Sequence, residues 1–553
     1  MYPTALDSGS SPRRLVPSLT VPRLPMQVEL LGLARIIKPS AEMTTVIRAE
    51  ARAHMLGRFQ VGTYIDSTAA NAILQHQYDF YAARLLHTVS RIAGRESLEF
   101  ALAQYDQAAL VLHGKDIDDA HARERWLEHE GDFRRAMKHL AELITINGPA
   151  TPRPSKQEWC VAMDFCLLAT ETMASLSEMS HRVHGIFAEG ATLTIHPDGN
   201  GLDWEVHIGG KFAGYDQRIA DRVARDRQHR MNFFEGRQFD VHTDKHAEIL
   251  NSAFESEFGW SYARFISALW HLIDGAVPAP GAIPTLFINR RTIEALFASH
   301  GEPARAVTAM LDGFTVTSER MRAEKRVLWN PKQEHRAYRR GFYAFPDPTG
   351  PHLAFSREMA RENLIQLVNG VCYKRLPSEW KTARIGSALE VLSKKASDWF
   401  EAEVRRNLGS VGISGRGFTK QVNLQGRPLQ IPPQVGEIDF LGVDKSHNLL
   451  VIVEAKMTFT GLEAKYWRDD VEAFVSGRDS YATKFRKKVA WVEACRNELA
   501  GLLGLETTPQ IAAAMVTLYP CIAEMFIPDF PCISLAELML DFKKDAKWPY
   551  PTR

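Results

Sequence analysis

Asp439 and, fifteen residues on, Glu454 with Lys456 are the residues of this chain whose types and spacing point most directly to chemistry. They stand in Gly436-Glu437-Ile438-Asp439 and in Glu454-Ala455-Lys456. Each segment lies in an apolar run that reads as a strand, and Asp444-Lys445-Ser446-His447-Asn448 between them reads as a turn. An antiparallel hairpin of that kind brings Asp439 beside Glu454. Side chains alternate along a strand, so Ile452, Glu454 and Lys456 share one face, and Val451, Val453 and Ala455 the other. A strand apolar on both faces is a covered one, and polar groups at its end need a reason, because buried unpaired charge is costly. Two adjacent carboxylates suit Mg2+ or Mn2+, a hard cation that takes oxygen ligands and keeps several waters. The carbonyl of Ala455 is a further candidate ligand. A lysine two residues past the glutamate can position or activate a water, or steady the negative charge that builds at phosphorus.

The elements that must hold these groups follow from the surrounding pattern. A helix is expected over about Ile385 to Leu408, then strands at Phe418–Val422, Gly436–Val443 and Leu449–Lys456. A charged helical region covers Leu462 to Leu503, a further strand Ala512–Tyr519, a short one lies near Cys532–Ile533, and a closing helix spans Leu535 to Phe542. That order is the order of a small α/β sandwich around a central sheet.

Asp439 with Glu454-Ala455-Lys456 resembles the signature of the PD-(D/E)xK phosphodiesterases, the fold of many restriction and repair nucleases. That family also has a glutamate on the helix before the sheet, in a context like F-E-x-x-V-x-x-x-L. Phe400-Glu401, Val404 and Leu408 match it, which makes Glu401 the counterpart, with Glu403 and Glu390 as weaker candidates. Val516-Thr517 and Ile533-Ser534-Leu535 are similar to the family's later strand and closing elements. The family's proline is Ile438 here, and it varies widely among members. The resemblance covers about Gly386 to Phe542. It implies a restriction-endonuclease-like C-terminal domain, a central mixed sheet flanked by helices. It further implies a Mg2+-dependent nuclease, a metal set of Asp439, Glu454, Ala455 and Glu401, and Lys456 as the catalytic lysine. DNA is the implied partner. Tyr481, Lys484 and Lys488, at helical spacing, form the helix face expected to approach the DNA backbone, and Arg416 and Lys420, beside glycines in a loop, suit phosphate contact.

Composition bounds the rest. The chain has 553 residues, 45% hydrophobic and 24% charged, with a formal net charge of +1, so nucleic acid must be met by a local basic patch. The six cysteines form no C-x-x-C and no zinc spacing, which suggests a reducing compartment. The Ser/Pro-rich start has no apolar signal core, and no uninterrupted apolar run approaches a membrane span. A cytoplasmic protein is expected.

The domain reading is a flexible tail over 1–40, a mainly helical regulatory or specificity domain over 41–310 with an inserted hairpin at Ala191–Ile208, a connecting region over 311–376, and the nuclease-like domain over 377–553. The connecting region carries a second hairpin around Pro346–Gly350 and a basic stretch, Arg320 to Arg340, read as a solvated linker with a few buried aromatics. His242 with His246, and His113, His121 and His129 among acids, read as ordinary core or surface groups. No phosphate-cradling glycine loop is present. The expected activity is DNA endonuclease, in bacterial anti-phage defence with the N-terminal region as sensor, and with a homo-oligomer or a regulatory protein as partner. The alternatives are a binding or scaffold protein that keeps the fold without the reaction, and a repair nuclease for branched DNA.

Overall fold

The structure, a computed structural model, describes residues 26–31, 34–113, 120–197, 203–234, 247–275, 285–323, 335–423, 428–458, 464–505 and 508–553. The His242–His246 pair, and the side chains of His113, His121 and His129, lie outside the described residues.

Short apolar runs broken by turns make the C-terminal sheet. Its five strands stand in the order Ile413–Phe418, Ile438–Asp444, Leu449–Lys456, Gln510–Thr517 and Cys532–Ser534. The first three are antiparallel neighbours; the last two run parallel to Leu449–Lys456. Parallel pairing needs a crossover, and the helices Ala464–Val471, Tyr481–Ala494 and Arg496–Leu503 supply it. The sheet is covered on both sides. Leu450 and Ile452 join Phe485, Val489 and Val492 of one layer; Val451 and Val453 join Phe400, Val404, Leu538 and Phe542 of the other. This alternation is why the strand reads as a continuous apolar run.

Two elements of this region differ from the sequence reading. The first strand is Ile413–Phe418, where Phe418–Val422 was expected; Gln421–Val422 pairs instead with Leu429–Gln430 in a separate ribbon. The glycines explain the error: Gly415 sits against Gly442 so closely that a Cβ would meet backbone at 2.5 Å, and such glycines weaken the strand signal.

The remainder is mixed α/β and largely helical. Helices Ser67–Ile92, Arg95–His113, Ala120–Asn147 and Lys156–Ser180 pack into one core. Lys156–Ser180 begins with a reciprocal Ser155–Glu158 capping box and runs on as a π turn over His181–Ile186. Residues 156–186 are long and apolar enough to cross a membrane, but 72% of the most apolar window is buried in the fold, as in a core helix. Asn289 ends the strand Thr285–Asn289 and caps the helix Arg290–Ser299. The expected hairpins form at Ala191–Ile195 with Trp204–Ile208, extended by Gly62–Tyr64, and at Phe342–Asp347 with Gly350–Ser356.

The division at 40, 310 and 376 is not the division of the cores. Gln27–Leu31 and Ala34–Lys38, assigned to the tail, pair as an antiparallel ribbon. Ribbon residues Ile36 and Ile37 are buried. A single core runs from Leu250 to Ala396, across both later boundaries. Helix Ala383–Ser410 belongs to two cores: Ile385 to Ala396 pack in that one, Phe400 to Leu408 against the sheet. Nor is the described end of the basic stretch a solvated linker. Arg336 is buried on Glu142 at 2.7 Å, and Arg340 on Glu379 at 2.8 Å.

Candidate active site

Gly436, at a φ of +73° that favours glycine, turns the chain into the strand Ile438–Asp444. The antiparallel ladder with Leu449–Lys456 ends at the pair Phe440 and Val453. One residue beyond, Asp439 replaces the missing ladder partner with its side chain: its Oδ2 accepts the backbone N–H of Ala455 at 2.9 Å. Leu449–Lys456 stays paired on its other edge as far as Lys456 with Thr517. Glu454 and Lys456 are therefore fixed in a covered strand, and Asp439 is fixed to that strand's backbone.

The three groups converge. Nζ of Lys456 lies 2.7 Å from Oε1 of Glu454 and 3.3 Å from Oδ2 of Asp439. A fourth charge enters from the helix Tyr481–Ala494, which Ser480 caps. Lys488 sits on its apolar face between Phe485 and Val492, and its Nζ bonds Oε2 of Glu454 and lies 4.0 Å from Oδ1 of Asp439. Glu454 is 4% exposed and Lys488 7%. Two buried carboxylates are thus balanced by two ammonium groups, an arrangement that stays intact only while both signs are present.

The electrostatics follow. Burial raises the Asp439 pKa, and the Glu454 charge raises it further, against Lys456, Lys488 and the Ala455 N–H. Burial alone would lower the pKa of Lys456; Glu454 and Asp439 outweigh it and hold this ammonium well above its ordinary value. Glu401, half-buried on the helix Ala383–Ser410, is pushed up to about 7 by burial, then by the charges of Asp439, Glu437 and Asp398, with Lys456 opposing. Glu401 therefore feels the pair from its rim. The weaker candidates lie elsewhere: Glu403 is buried on Arg406 at 2.6 Å, and Glu390 pairs with Lys374.

The remaining predicted residues separate. Tyr481 belongs to the site, its ring 5.4 Å from Nζ of Lys456. Lys488 faces the carboxylates and not solvent, which corrects the DNA-facing reading: the buried stripe of its helix runs through Ala482, Phe485, Lys488, Val489 and Val492. Only Lys484 of the three is exposed. Arg416 lies in a strand and not in a loop, exposed, donating to the Asn423 carbonyl at 2.7 Å; Lys420 is exposed in the turn beyond. Ala455 enters the site through its N–H. A lysine in line with Phe485 and Val492 was the available signal for the inward role of Lys488.

As a cation site, the pair offers hard oxygens from two side chains on one sheet face, and the burial and the neighbouring carboxylate charge that raise Asp439 and Glu401 are what a bound dication would offset. Among the described residues no group of three or more His, Cys, Asp or Glu converges on a common point, so water would complete the shell, as Mg2+ allows. Compared with protein-family models, with curated proteins and with solved structures, the chain matches none.

Proposed function

We propose that this protein is a divalent-metal-dependent nuclease of the PD-(D/E)xK type, acting on DNA as an endonuclease, with its helical region restraining or directing the cut. The observation that carries the reading is the meeting of Asp439, Glu454 and Lys456 at one covered strand end, with Glu401 at its rim. Asp439 and Glu454 would hold Mg2+ or Mn2+, with Glu401 as a further contact, direct or through water. The bound cation would supply Lewis-acid stabilisation of the phosphoryl oxygens. Lys456, kept protonated by its two carboxylates, serves as a donor: it orients the attacking water and meets the charge that grows on the phosphate. The ring of Tyr481 and the Glu454 carboxylate hold its ammonium in place.

Plasmid, linear and single-stranded DNA incubated with the full chain and Mg2+ or Mn2+ test this. Cleavage should fall by about 100-fold or more in Asp439→Ala and Lys456→Ala. No cleavage of any substrate, or cleavage unchanged in both variants, sinks it. Resistance of expressing cells to phage, lost in Lys456→Ala, would place the activity in defence; preference for forks and junctions would place it in repair.

One observation favours a second reading. All four charges are already balanced within the site, which suits a binding or scaffold domain that keeps the fold and no reaction. Calorimetry separates the two, since an inert domain takes up no Mn2+ that depends on Asp439 and Glu454.

A further inference from the structure

Asp439 and Glu454 present four oxygens, and the two lysines divide them. Oδ2 of Asp439 and Oε1 of Glu454 face Lys456, and Oδ2 also carries the Ala455 N–H. Oδ1 of Asp439 and Oε2 of Glu454 face Lys488. A cation bridging the two carboxylates takes one oxygen from each, and an ammonium group already faces each of these pairs of oxygens, so a dication placed there competes with a lysine.

The geometry decides which. Lys456 is on the same strand as Glu454, reaches both carboxylates within 3.3 Å and rests on the Tyr481 ring. Lys488 comes from a separate helix, bonds Glu454 alone, and stands off Asp439 at 4.0 Å. Its ammonium ends a flexible four-carbon stem rooted on a helix and not in the sheet, so its departure breaks no ladder hydrogen bond. We propose that Lys488 is a gate on this site: its ammonium occupies the cation position between Oδ1 of Asp439 and Oε2 of Glu454, and metal is held only when Lys488 swings out. Lys488 then sets the metal affinity of the resting protein, a positioning role distinct from that of Lys456. This rests on the nuclease reading above.

Mn2+ titrated into the full chain, followed by calorimetry and by the electron paramagnetic resonance signal of free Mn2+, tests the gate without any turnover. Lys488→Met removes the competing charge and keeps the packing between Phe485 and Val492. Lys488→Gln keeps a donor toward Glu454 and serves if the methionine variant does not fold. Either variant should bind Mn2+ at least about tenfold more tightly than the parent, and adding Asp439→Asn should abolish the gain. Parent binding with no gain in the folded variant overturns the gate and leaves the nuclease reading standing. No Mn2+ uptake by the parent or by either variant overturns both. Tighter binding that persists with Asp439→Asn places the metal elsewhere and overturns the gate.

Discussion

Arg222 clasps Glu537 through two parallel hydrogen bonds, Nε to Oε1 at 2.7 Å and Nη2 to Oε2 at 3.0 Å. The pair joins the helix Tyr215–His229 to the closing helix Leu535–Asp545, and the same guanidinium donates to the Cys521 carbonyl at 3.1 Å. Beside it, Ser534 donates to Asp226 at 2.7 Å. At the far side, Glu178 of the helical core accepts the N–H of Ala464 at 3.1 Å, and Ala464, Val471 and Ile522 belong to that core. The helical region and the sheet thus share buried charge and buried surface. Arg222→Ala strands a nearly buried carboxylate and should cost about 3 kcal/mol, read as a lower unfolding midpoint and as faster protease cleavage between the two regions. A fragment of residues 377–553 should aggregate for the same reason, and light scattering checks it.

Stability and activity should change with pH through Glu401. Its folded pKa of about 7 lies above the ordinary 4.5, so the folded state holds this proton more tightly than the unfolded state. The resulting stabilisation is present in full below the unfolded value and is lost as pH rises through about 7. Discounted for its half-exposed position, the loss is about 1 kcal/mol. Thermal melts from pH 5 to 8 should show it, and Glu401→Gln should flatten the curve. As an anionic contact in the proposed reaction, Glu401 should also give cleavage a rise with pH over the same interval, absent in Glu401→Gln.

Glu142 runs the other way. Burial would raise its pKa, but Arg336 and His139 hold it down at about 2, below the ordinary 4.5. Its contribution is present above the unfolded value and is lost as pH falls from about 4.5 toward 2. Arg336→Leu removes one partner of a fully buried pair and should cost about 3–5 kcal/mol. Equilibrium urea unfolding at neutral pH measures it.

DNA affinity should depend on the exposed cations and not on the buried ones. Lys420→Ala and Lys484→Ala should each weaken binding evenly across sequences and reduce the slope of log affinity against log salt by about 1. Fluorescence anisotropy across a salt series reads both. Unchanged slopes would remove these two lysines from the interface.

The central hairpin was legible because its strands are covered on both faces, so Leu449–Lys456 appears as one apolar run ended by its two charges. The buried side of the helix before the sheet was legible in the spacing of Phe400, Val404 and Leu408. Lys488 was placed on the right helix and given the wrong direction. Its spacing from Tyr481 is seven residues, which returns to the same side, but Lys484 between them points outward, and counting all three as one cationic face hid the apolar stripe. The ribbon Gln27–Lys38 was read as tail although its two strands are neighbours in sequence; what anchors it lies far off, since Arg35 and Ile37 donate their N–H groups to the side chains of Gln107 and Gln104, at 2.7 and 2.8 Å. The buried arginines after residue 335 were missed for the same reason, since Glu142 and Glu379 neutralise them from distant segments.

The helix Ala383–Ser410 has 28 residues, about 42 Å of continuous rod at 1.5 Å per residue. Its front half is clamped in the core that starts at Leu250, and its back half carries Glu401 beside a carboxylate pair fixed to the sheet. The rod is pinned along both halves, so it works as a shared beam: the two cores cannot part without pulling one half out of its packing, and Glu401 stands on the stretch that the sheet holds.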